Sequence, residues 1–104
     1  MTANLSRYDD TLRHLSKEAI ACVPEAWRQG RLTMDLDAAG LHYRLESDLN
    51  QTRAELTQQL GRLCGELYVL MEMDGQGWSQ CVVEFTRAPD DTWGFKVRFT
   101  YVET

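Results

Sequence analysis

Apolar residues recur at Leu5, Tyr8, Leu12, Leu15, Ala19 and Cys22 or Val23. Spacings of three and four predict one face of a helix over residues 5–23. Ser6 followed by Asp9 is a start signal, and Pro24 ends the helix by pushing Val23 out of helical geometry. Residues 31–47 change period. Leu32, Met34 and Leu36 alternate with Arg31, Thr33, Asp35 and Asp37, then Leu41, Tyr43 and Leu45 alternate with His42, Arg44 and Glu46. Two short strands follow, joined by a four-residue loop from Asp37 to Gly40. That loop sets Leu36 opposite Leu41, Met34 opposite Tyr43 and Leu32 opposite Leu45. A loop one residue shorter would set apolar against polar residues, which a half-buried sheet resists. The same register sets Arg31 across from Glu46 and Asp35 across from His42 on the outer face.

Over residues 52–73, Leu56, Leu60, Leu63, Leu67 and Leu70 restore the helical repeat, with Cys64, Tyr68 and Met71 beside them. Thr52 and Glu55 have the spacing of a capping box. Gly61 and Gly65, four apart, offer a place where a strand or the first helix approaches closely. After "DGQG", two more strands are predicted near 78–87 and 93–102, joined through "APDDT" with Pro89 opening a turn. Cys81, Val83 and Phe85 share one parity, as do Trp93, Phe95, Val97, Phe99 and Tyr101. Trp78 and Val82 fall on the parity of the outer polar face, and Glu84 is expected near Lys96 or Arg98. The order α-β-β-α-β-β predicts an α+β fold: a four-stranded antiparallel sheet with two helices packed on one face.

Composition narrows the class. The 104 residues suit one domain, 1–104; 43% are hydrophobic and 26% charged, as in a globular protein. No apolar run approaches the roughly 18–20 residues of a membrane helix, and the first residues lack a signal-peptide layout, so the cytoplasm is the expected location. A net charge of −5 argues against a nucleic-acid partner and suits a basic protein partner. Cys22, Cys64 and Cys81 form no C-x-x-C pair and are read as buried small hydrophobes in a reduced compartment.

Chemistry is sparse. His14 lies off the apolar stripe, and His42 beside Asp35 reads as a surface cross-strand pair rather than an oriented base. No nucleophile elbow, P-loop, zinc-protease or dinucleotide pattern is present, so neither an enzyme nor a bound cofactor or metal is expected. The carboxylates Asp35, Asp37, Glu46 and Asp48 gather on or beside the first hairpin's outer face, as a solvated surface or an acidic docking surface. Trp27 and Trp93 are expected to close the ends of the core with their N–H groups wet. Trp78, if exposed with Val82, would be an interface anchor.

The segment "AIACVPEAWRQGRLTMDL" resembles the YezG-type immunity proteins, in which the first helix ends in an apolar-Pro-acid-x-Trp junction before the first hairpin. The run "GWSQCVVEF…GFKVRFTYVE" is similar too: Trp-Ser opens a strand, and Gly-aromatic-Lys leads to a final strand ending in Tyr. The chain departs at Gln76 and Gly77, where a proline is expected nearby. The resemblance implies an antitoxin of a bacterial polymorphic toxin system that binds and neutralises one cognate toxin domain, often a nuclease. Asp35, Asp37, Glu46 and Asp48, with Trp78 as an anchor, are then the expected partner-binding residues. The alternative is a small acidic secretion chaperone that holds an effector as a homodimer.

Overall fold

In a computed structural model of the chain, residues 8–25, 27–48 and 54–101 are described. The elements run α1 (Asp9–Cys22), β1 (Gln29–Asp37), β2 (Gly40–Glu46), α2 (Gln58–Met73), β3 (Trp78–Arg87) and β4 (Trp93–Tyr101). The strands form one antiparallel sheet in the order β2-β1-β3-β4. The α+β architecture expected from the pattern is the one observed.

α1 buries Leu12, Leu15, Ala19 and Cys22, the stripe its spacing predicts. Val23 is extended, as the following Pro24 requires. The start signal at Ser6 and the apolar Leu5 lie outside the described residues. α2 begins later than its leucine repeat suggests. Its N-cap is Thr57, whose hydroxyl oxygen accepts the Leu60 N–H at 3.1 Å. Thr52 lies outside the described residues, Glu55 is not helical and Leu56 is exposed. The capping-box reading is thus replaced by a cap five residues on. The physical reason is tertiary: the Thr57 hydroxyl also donates to Glu18 Oε1 on α1 at 2.6 Å, anchoring the start of α2 there. At the other end of the pair, the Tyr8 hydroxyl donates to Asp74 Oδ2 at 2.8 Å, so the two helices run antiparallel.

Helix side chains meet one parity of each strand. Leu32, Met34, Cys81, Val83 and Phe85 pack with Leu60, Leu63, Leu67 and Met71 in one hydrophobic cluster. Gly61 is where α2 comes closest to the sheet: a Cβ there would stand 2.5 Å from the Tyr43 hydroxyl of β2. Nothing lies within 4 Å of the equivalent point on Gly65, so only one of the two glycines serves a close approach.

The first hairpin has the inferred register, from Arg31↔Glu46 to Leu36↔Leu41. The turn itself is tighter than inferred, because Asp37 and Gly40 pair and leave Ala38 and Ala39 as the loop. Gly40, at φ +125°, takes a conformation that side chains disfavour. Across β3 and β4, a register irregularity between Trp78 and Gln80 adds Ser79 as an extra residue. This reverses the parity of Trp78. Instead of standing on the outer face it is fully buried, edge-on to Tyr68 with centroids 5.3 Å apart and 6.3 Å from Phe99.

Candidate functional site: the helix-free face of the sheet

With both helices on one side, the opposite face is, among the described residues, built from strand side chains. Antiparallel register arranges them in three rows running from β2 to β4. His42, Asp35, Gln80 and Thr100 form the first. Arg44, Thr33, Val82 and Arg98 form the second, and Glu46, Arg31, Glu84 and Lys96 the third. Thr33 and Val82, directly paired at the centre, are 4% and 8% exposed although no helix covers them. Their long neighbours in adjacent rows shield them, as charged stems commonly do on an open sheet.

Each carboxylate expected on this surface is found there or at its margin, and each is held by a donor. Asp35 Oδ2 accepts from Arg44 Nη1 and Oδ1 from Gln80 Nε2, both at 2.8 Å. Arg44 also donates through Nε to Glu46 Oε1 at 2.8 Å, so one guanidinium bridges two rows. Asp48, just beyond β2, takes both terminal nitrogens of Arg31 at 3.1 Å. Asp37 Oδ1 accepts the Ala39 N–H at 2.7 Å, closing the hairpin turn, and lies 3.2 Å from His42 Nε2. On the far half, Arg98 Nη2 donates to Glu84 Oε1 at 2.6 Å.

Two inferred pairings are therefore corrected. His42 stands across from Asp35 in register, yet its ring turns to Asp37. Arg31 stands across from Glu46, yet binds Asp48. Glu84, expected near Lys96 or Arg98, stands across from the first and pairs with the second. In each case a longer side chain reaches a diagonal partner that offers a better fork or a free oxygen.

The pairs set the electrostatics. The Ala39 N–H holds the Asp37 carboxyl below its ordinary range, with His42 adding to the effect. Arg31 is raised by its bond to Asp48, and Arg44 first by Glu46 and then by Asp35. These are solvent-facing pairs, which water screens, so each adds little to stability. Their larger consequence is orientation: the face presents fixed charges on rigid strands. Nor is it uniformly acidic. The β1–β2 half carries Asp35, Asp37, Glu46 and Asp48 against Arg31 and Arg44, whereas the β3–β4 half carries Glu84 against Lys96 and Arg98.

Trp78 is not part of this surface, because the bulge at Ser79 takes its ring into the core. Trp27 is likewise enclosed, and the indole nitrogens of both are buried without a partner among the described residues, so neither N–H is wet. Trp93 is half-buried, with the Arg87 guanidinium carbon 5.9 Å from its ring centroid. The signal for the Trp78 inversion, an extra polar residue between the Trp and the alternating run, is too short to be told from ordinary alternation. Among the described residues, no three His, Cys, Asp or Glu side chains converge as a metal site, and no helix is long and apolar enough to cross a membrane. No protein-family model matches the sequence, and no curated protein matches it either.

Proposed function

We propose that this chain is an immunity protein of the YezG type, acting in the cytoplasm by binding a cognate toxin domain and blocking it. The observation that supports this reading is the division of charge on the helix-free face. Its β1–β2 half keeps an excess of carboxylates even after its own arginines are counted, and Asp35, Asp37 and Glu46 stand on strands rather than on loops. A basic cleft, such as a nuclease uses for phosphate, would meet Asp35, Asp37 and Glu46 as pre-oriented anions, steered by charge and docked without loop ordering. The Thr33–Val82 centre would supply the desolvated middle of the contact.

The test is co-purification from the native host with mass spectrometry, followed by co-expression of the recovered toxin domain with this chain. One toxin domain in a one-to-one complex, with growth rescued, is the expected result. Combining Asp35→Lys with Glu46→Lys should slow association about tenfold at low salt, with the difference shrinking as salt rises. Glu66→Lys, exposed on α2 away from this face, is the control and should leave association unchanged. Recovery of a secreted effector's extended N-terminal segment bound to a homodimer of this chain would move the assignment to a secretion chaperone.

A further inference from the structure

A second surface lies along the free edge of the sheet, away from the carboxylates of the β1–β2 half. β4 ends the sheet, and among the described residues no backbone hydrogen bond reaches its outer edge. Which amides point outward follows from the hairpin. Ala88 N–H donates to the Thr92 carbonyl, and Ser79 Oγ donates to the Thr100 carbonyl, so even-numbered residues of β4 turn their backbone groups toward β3. The free donors and acceptors belong to Phe95, Val97 and Phe99. On the helix side these same residues make an apolar row the helices cover only in part: Phe95 is 44% exposed and Tyr101 42%. On the other side, between them, stand Lys96 and Arg98. Lys96 has no ion pair among the described residues.

We infer that the outer edge of β4 is a docking site for an extended segment of another protein that alternates apolar with acidic residues. An antiparallel or parallel strand added there would satisfy the amides of Phe95, Val97 and Phe99. Its apolar side chains would extend the aromatic row, and its acidic ones would face Lys96 and Arg98. Charge disfavours a second copy of this chain. Antiparallel self-pairing must keep apolar residues on one side, and the registers that pair most of β4 centre on Lys96 with Lys96, Val97 with Val97, or Arg98 with Arg98. The first and last set like charges face to face, and the middle one sets Lys96 against Arg98 twice, which is destabilising. This inference does not depend on the toxin-blocking reading, because it uses none of the carboxylates of the β1–β2 half.

The experiment uses the whole chain labelled with 15N and three synthetic peptides as long as β4. One alternates valine with glutamate, one valine with lysine, and one has the first composition with its glutamates clustered. The expected result is binding of the Val-Glu peptide alone, with slowed hydrogen exchange at the Phe95, Val97 and Phe99 amides. Lys96→Glu should weaken it about tenfold, the loss expected when one close charge pair is reversed. Equal binding of the Val-Glu and Val-Lys peptides would overturn the inference, and so would an absence of protection at those amides. A dimer whose Phe95, Val97 and Phe99 amides are already protected without peptide would assign the edge to a second copy and refute it as well.

Discussion

Gly61 and Gly65 look interchangeable in the helix, and their surroundings make them opposites. Replacing a helical glycine by alanine gains about 1 kcal/mol of helix propensity. At Gly65 nothing opposes that gain, so Gly65→Ala should raise stability by about 0.5–1 kcal/mol in urea denaturation. At Gly61 the new methyl would meet the Tyr43 hydroxyl at 2.5 Å and the ring carbon behind it at 3.1 Å. Gly61→Ala should therefore destabilise by about 1 kcal/mol or more, as overpacking does. In a Tyr43→Phe background the penalty should shrink, and a double-mutant cycle measures the coupling. Trp78 shows the same dependence on surroundings. Once the bulge carries it inward, Trp78→Ala becomes a core truncation, and a loss of about 3–5 kcal/mol is expected. A small loss of stability would instead put the ring back on the surface.

The elements show how local signals are overruled or kept. The sequence pattern points to Thr52 as the cap of α2, and Thr57 holds the position because its hydroxyl serves both the Leu60 N–H and Glu18 of α1. Thr57→Ala should cost about 1 kcal/mol, while Glu55→Ala, exposed and outside the helix, should change stability by less than about 0.5 kcal/mol. The β1–β2 hairpin is the contrary case, since its register could be read from parity alone. Its turn adds a titrating group. The folded Asp37 carboxyl is held below its ordinary range, so its contribution is present above that range and is lost as pH falls through the folded value. Asp37→Asn should flatten the acid limb of a stability-versus-pH curve, with the difference from the parent chain vanishing at the lowest pH.

At the scale of the whole molecule, one core holds three thiols, two of them fully enclosed. Burial pushes Cys64 and Cys81 up to about 12 from an ordinary 9.0. A group whose folded value is raised keeps its full contribution below the unfolded value and loses it as pH rises toward the folded one. Stability should therefore fall between pH 9 and 12, and Cys81→Ala should make that alkaline slope shallower even though it opens a small cavity. Thiol reagents should label these cysteines only as fast as the chain unfolds. Periodicity alone was enough for the helices, the strand faces, the first register and the gathering of Asp35, Asp37 and Glu46 on one surface, because each follows from which way consecutive side chains point. Strand order, the cap at Thr57, the inward turn of Trp78 and the diagonal partners of His42 and Arg31 belong to the folded chain. They depend on groups far apart in sequence coming within a few ångströms of one another, and no local repeat records that distance.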